Sequence, residues 1–319
     1  MAACSGWALL SIVAKSHSQV IYTDNFDAGT SAANWAATQS ASDSFVNFAF
    51  DYSTLGIPSA NGAGGTTTGV RFLTNQTAVV QQGVSASPNG QSFTGDFKIN
   101  FSAWLNYNGP LGPTTVGGSG STQVGSFGWG SNGTSVQWAG ASSSTMFGTT
   151  GDGGSTIDYR VYQNNALLSP NVGSGVGVYA AGNLASSYNN TDPYYSGFGG
   201  ASAPAAQVAL YSGQTGTTPA GAPAFAWRNM ELIKVGSSFS WFMDGTRIAT
   251  ASLTGATLSG NNIFLGTFDI NNTSSTDPND FLIAAIYDNV VVTQIPEPTA
   301  FTLAGLAGWA LTRRRRAVS

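Results

Sequence analysis

Hydrophobic and polar positions alternate with a period of two along much of the chain. Phe97, Ile99, Phe101, Ala103 and Leu105 interleave with Lys98, Asn100, Ser102 and Trp104, the signature of a half-buried β-strand. A second run, Phe239, Trp241 and Met243, leads into Asp244-Gly245 and then Thr246 to Ala251. Asp-Gly between two alternating runs predicts a tight hairpin, because both residues tolerate positive φ. Further strands are expected over Gly69–Asn75, Asp158–Gln163, Gly175–Ala180, Ala226–Val235, Asn262–Asp269 and Phe281–Thr293. No segment between the two ends of the chain sustains a 3.6-residue period. Many short strands with Gly-rich turns predict an all-β fold, a β-sandwich or jelly roll. Gly109–Gly125, Ser142–Ser155 and Gly197–Pro223 read as long surface loops, and the span 20–294 as one sandwich domain, since all-β domains commonly exceed 200 residues.

Charge narrows the function. Charged residues make up 8% of the chain, against about 25% in ordinary globular proteins. From Val20 to Ile295 six bases (Arg71, Lys98, Arg160, Arg228, Lys234, Arg247) face fourteen acids. This surface has no basic stripe for phosphates, so nucleic acid is not an expected partner. Gly, Ser, Thr, Asn and Ala replace the missing charges, a composition suited to hydrated polysaccharide. Aromatic residues, at 12%, supply enough apolar area for a core and argue against disorder.

The ends of the chain read as export signals. Gly6 to Ala14 is apolar, and Ser16-His17-Ser18 precedes Gln19 with the small residues a signal peptidase prefers, so residues 1–19 are expected to be a signal peptide. No Lys or Arg precedes the stretch and Lys15 follows it, as in a truncated or mis-started leader. Cleavage near Ser18 would remove Cys4 and His17, leaving neither cysteine nor histidine. The mature chain would then have no disulfide framework, no imidazole zinc site and no Ser-His-Asp triad. At the other end, residues 295–319 combine Pro296-Glu297-Pro298, an apolar stretch from Thr299 to Thr312, and the cluster Arg313, Arg314, Arg315, Arg316. The stretch has 14 residues, whereas a full helical span needs roughly 20, and the arginines would sit on the cytoplasmic side.

This order of parts closely resembles the PEP-CTERM sorting signal of Gram-negative-type bacteria. The resemblance implies transient insertion of the short hydrophobic helix in the inner membrane and removal of the tail by an exosortase. The protein would then reside at the cell surface or in the extracellular matrix with its exopolysaccharide. An ordinary tail anchor is the plainer alternative. A second resemblance covers most of Asp24 to Thr293. Asp24-Asn25-Phe26-Asp27 opens the domain, Trp241-Phe242-Met243-Asp244-Gly245 forms the penultimate hairpin, and Tyr287-Asp288-Asn289-Val290-Val291-Val292 closes it. The arrangement is similar to the concanavalin A-like lectin/glucanase sandwich, laminin-G-like domains included. That likeness implies that the first and last strands pair.

The fold group holds both lectins and glucanases, so site residues must decide. Its laminarinase-like enzymes carry a Glu-x-Asp-x-Glu strand. Here the core holds only Glu231, with no acid two or four residues away, whereas retaining hydrolysis needs two carboxyl groups about 5 Å apart. Glu231 is therefore expected to face solvent from a strand that turns Met230, Leu232 or Ile233 inward. A non-catalytic, lectin-like surface protein is the leading expectation; an Asp-based carbohydrate hydrolase and a purely structural surface protein are the alternatives. Stacking on sugar rings would fall to Trp104, Trp129, Trp138, Tyr194 and Tyr195, although core or inter-sheet packing is the favoured reading of each taken alone, while Trp35 and Trp241 are assigned to the core. Structural Ca²⁺ is a possible cofactor, its candidate ligands being Asp269, Asn271, Asp277, Asn279 and Asp280, with weaker clusters at Asp24/Asp27/Asp288 and Asp152-Gly153-Gly154. Backbone-bonded turns are the favoured account of the same residues.

Overall fold

A computed structural model describes residues 18–76, 80–110, 123–168, 178–182, 189–271 and 280–296. Its strands, in chain order, are β1 (Gln19–Asp24), β2 (Trp35–Gln39), β3 (Phe45–Asp51), β4 (Thr68–Leu73), β5 (Gln82–Pro88), β6 (Phe97–Asn106), β7 (Gln123–Ser131), β8 (Thr145–Thr149), β9 (Tyr159–Gln163), β10 (Ala166–Leu167), β11 (Arg228–Val235), β12 (Ser238–Met243), β13 (Thr246–Ser252), β14 (Asn262–Asp269) and β15 (Ala284–Gln294). Among the described residues helix is confined to α1 (Ser31–Asn34), α2 (Ala205–Leu210) and single 3₁₀ turns.

Two antiparallel sheets form a sandwich. One is eight-stranded, in the order β13-β12-β11-β6-β15-β4-β3, with β1 paired to the remaining length of β15. The other has seven strands in the order β10-β9-β8-β7-β14-β5-β2. The first and last strands do pair, with Asp24 opposite Val290.

The alternation read from β6 is the alternation observed. Phe97, Ile99, Phe101 and Ala103 are buried between the sheets while Lys98, Asn100 and Ser102 are half-exposed. Asp244 (φ 49°) and Gly245 (φ 78°) both adopt left-handed backbone and close the β12–β13 hairpin, which is why that dipeptide stands there. Trp241 is completely buried and Trp35 nearly so. Aromatic rings interlock across the sandwich: Phe127 lies 5.1 Å from Phe101 and 5.1 Å from Trp241, edge-on in both cases.

Two expected loops contain structure. Ser142–Ser155 includes β8, and Gly197–Pro223 includes α2. Strand β8 escaped the period-two reading because all five of its residues are buried, as are all nine of β7; a strand covered on both faces has no polar face to alternate with. On the seven-stranded sheet Val124, Met146, Tyr162, Phe264 and Phe268 form a second apolar cluster, with Trp138, Ala139, Leu167 and Ile270 packed against it. Helix α2 is held by buried amides: Asn106 Nδ2 donates to Gln207 Oε1 at 3.0 Å, and Gln207 Nε2 donates back to Asn106 Oδ1 at 2.7 Å.

Of the expected strand 175–180, residues 175–177 lie outside the described residues, and Tyr179 makes a single bridge to Ala249. Cys4, Lys15, His17, Glu297, Pro298 and Arg313–Arg316 also lie outside them, while Pro296 is half-buried just past β15. Among the described residues no helix is long and apolar enough to cross a membrane.

Candidate functional site

Three of the five expected stacking residues belong to the core. Trp104 is 3% exposed; its indole N–H donates to Asn106 Oδ1 at 2.9 Å and its ring meets Trp227 edge-on at 5.8 Å. It does lie on the face opposite Phe101, but that face is covered here. Trp129 is 4% exposed, and its indole N–H lies 2.9 Å from Asn261 O and 3.0 Å from Phe93 O. The glycines around it signal close packing rather than an exposed loop: a Cβ on Gly128 would fall 2.2 Å from Thr145 O. Tyr195 is fully buried, 4.7 Å from Tyr159, and its hydroxyl donates to Ala181 O at 3.1 Å. Trp138 is half-buried over the backbone of Gly83 in β5, capping the second apolar cluster. Tyr194 alone is well exposed, at 47%, with its ring edge-on to Tyr195 at 5.0 Å.

The calcium expectation meets a closed polar knot. Asp269 is fully buried, and its carboxylate accepts from Asn75 Nδ2 and from the Asn271 N–H. Asp277 and Asn279 lie outside the described residues, and Asp280 opens the 3₁₀ turn Asp280–Leu282. Among the described residues no group of three or more acidic, His or Cys side chains is arranged to hold a metal ion.

Glu231 pairs with Lys98 Nζ at 2.9 Å and faces Asn100 Nδ2 at 3.4 Å, a base and an amide in place of a second carboxyl. Met230 and Leu232 beside it are buried, as expected.

Carboxyl groups do approach one another at two other places. Between β8 and β9, Asp158 is 1% exposed; its Oδ1 accepts from the Thr150 hydroxyl and the Ser155 N–H, while Oδ2 has no partner among the described residues. Burial first, and then the Asp152 charge, pushes its carboxyl up to about 8; burial raises Asp152 to about 6. Neighbouring Asn190, also 1% exposed, leaves both amide atoms unpartnered among the described residues.

The second place is the seam between the chain's two ends. Asp288, fully buried, accepts from the Asn289 N–H at 2.7 Å and from the Tyr52 hydroxyl at 3.1 Å. Burial pushes its carboxyl up to about 7, and the charges of Asp27 and Asp24 add to the rise. Asp24 is saturated by donors: Oδ1 accepts from the Phe26 N–H and the Ser31 hydroxyl, both at 2.8 Å, and Oδ2 from the Trp35 indole at 2.9 Å. A cation would have to displace these bonds.

Beside this seam opens a cavity of about 690 Å³, between β1, α1, the turn after β5, and the bulge of β15 at Asn289. Sequence reading found the acids of this corner but not the cavity, because its walls come from segments more than 200 residues apart. The Asp24-Asn25 and Asp288-Asn289 pairs were its one visible trace.

No family model and no curated protein matches the chain. Among solved structures it is similar to a Bacillus subtilis protein of unknown function with a galectin-like fold, at TM-score 0.42 and 10% identity over 86% of this chain and 96% of that one. It is similar also to the carbohydrate recognition domain of Emp46p in its metal-free form, at TM-score 0.39 and 11% identity over 85% and 95%. A third similarity is to Bacillus licheniformis beta-glucanase, at TM-score 0.35 and 12% identity over 86% and 98%. Identities this low give no residue-for-residue correspondence.

Proposed function

We propose that the protein is a non-catalytic, exported surface or matrix protein whose β-sandwich associates with exopolysaccharide and whose C-terminal tail is removed by an exosortase. The observation that carries this reading is the ordered trio of Pro296-Glu297-Pro298, a 14-residue apolar stretch and four consecutive arginines, directly after the last strand of the sandwich. A short basic-ended segment suits transient rather than permanent membrane residence. The uncharged polar composition supports a polysaccharide setting.

A hydrolase is the second reading, favoured by one observation: Asp152 and Asp158 are neighbouring carboxyls, both raised by burial, to about 6 and about 8, and glycoside hydrolases work with a pair of carboxyls of unequal pKa. Against it, Asp158 is 1% exposed, out of reach of a glycosidic oxygen. Retention of the secreted protein on immobilised host exopolysaccharide, read together with release of reducing ends, tests both. Retention without release supports the binding role; release abolished by Asp158→Asn replaces it with the hydrolase.

A further inference from the structure

The cavity at the seam has the chemistry of a ligand site. Its volume of about 690 Å³ falls within the roughly 300–1,000 Å³ of small-molecule sites. Five carboxamides line it: Asn25, Asn34, Asn89, Gln91 and Asn289. Each amide presents two donors and an acceptor, the complement of hydroxyl groups, which both donate and accept. Two are uncommitted, for the side chains of Asn34 and Asn289 make no hydrogen bond among the described residues, and Gln91 makes only a 3.4 Å contact to Asn89 O. Tyr22 supplies an apolar wall, its ring backed edge-on by Phe93 at 6.0 Å and by Trp35 at 6.2 Å.

The lining also says what is excluded. It contains no Lys, Arg or His, so an anionic ligand would find no counter-charge and would face Asp24. A metal ion would find Asp24 already accepting three hydrogen bonds. A neutral polyhydroxylated ligand fits both constraints. Asn289 in the lining sits at φ 56° in the β15 bulge, strained backbone that the surrounding pairing must maintain.

We propose that this cavity is the protein's glycan-binding site, selective for uncharged sugar segments over uronate-bearing ones. The inference rests on the exopolysaccharide-binding reading given above and assigns it a place. The site lies where the first and last strands pair, so it exists only in the fully closed sandwich.

The test titrates the secreted protein with neutral oligosaccharides fractionated from the host's exopolysaccharide, and with the acidic fraction as comparator. Ala33→Trp fills the cavity from the exposed face of α1; Asn34→Ala and Gln91→Ala remove single amides. We expect neutral oligosaccharides to bind better than acidic ones, about five- to tenfold weakening from each amide deletion, and no detectable binding by Ala33→Trp, all with unchanged thermal melting. If Ala33→Trp disturbs folding, the two exposed alanine variants decide. Wild-type binding that survives the amide deletions would overturn the site and leave the function standing. A wild-type protein that binds no fraction would overturn both.

Discussion

Tyr287, in the middle of the eight-stranded sheet, sends its hydroxyl across the core to the seven-stranded sheet, 2.8 Å from Gly266 O and 3.1 Å from Ser126 O. Both carbonyls are acceptors, so one proton is shared between two strands of the opposing sheet. Burial raises the hydroxyl's pKa far above the usual phenolic range, and it stays a donor at any physiological pH. Tyr287→Phe should cost about 1–2 kcal/mol of unfolding free energy with the fold retained, measured by denaturant titration at constant m-value. A cost near zero would mean that the two carbonyls find other donors.

Three carboxyls make stability fall as the medium turns alkaline. Asp152, Asp288 and Asp158 are raised to about 6, 7 and 8 in the folded chain, against about 3.9 when unfolded. Between those values the folded state holds protons that the unfolded state has released, so stability is fully present below pH 4 and is lost as pH rises through the folded values. From about pH 5 to about pH 8 the loss should be on the order of a few kcal/mol, read as a falling melting temperature. Asp158→Asn should flatten this dependence most, because Asp158 has the largest shift. A melting temperature constant across that range would contradict the assignment.

The buried tryptophans and the exposed tyrosine should part company on substitution. Trp129→Ala and Trp104→Ala should each cost about 3–5 kcal/mol, through lost packing and unpaired carbonyl or amide partners. Tyr194→Ala should change stability by less than about 0.5 kcal/mol. Loss of polysaccharide retention in Tyr194→Ala with unchanged melting would mark that ring as an additional stacking surface. Equal destabilisation by all three would contradict the burial seen here.

Processing is tested by mass. Intact-mass analysis of surface-exposed protein should show loss of the tail beyond the Pro296-Glu297-Pro298 region and of the segment before Gln19. Mature protein that keeps Arg313 to Arg316 would replace the exosortase with a plain anchor.

The sequence made legible what a half-buried strand writes into it. Strand β6 and the Asp244-Gly245 hairpin were readable, because one face is wet or a turn demands positive φ. Strands β7 and β8 were not, since burial on both faces erases alternation and their glycines mimic loop composition. The same mimicry misled the site reading. Trp129 between two glycines looked exposed, yet Gly128 is small so that Thr145 and Phe264 can close against the strand. The acids of the seam were visible in sequence, but their hydrogen-bond saturation, and the amide-lined cavity beside them, arise only when β1 meets β15.

The most direct test of the central claim is calorimetric titration of the secreted protein with fragments of its host's exopolysaccharide, with added calcium and again with a chelator. The account expects saturable heat, retained in the chelator if Asp269 and the seam acids need no ion. A folded protein that gives no heat under either condition would contradict the glycan-binding role and leave the sandwich a structural scaffold.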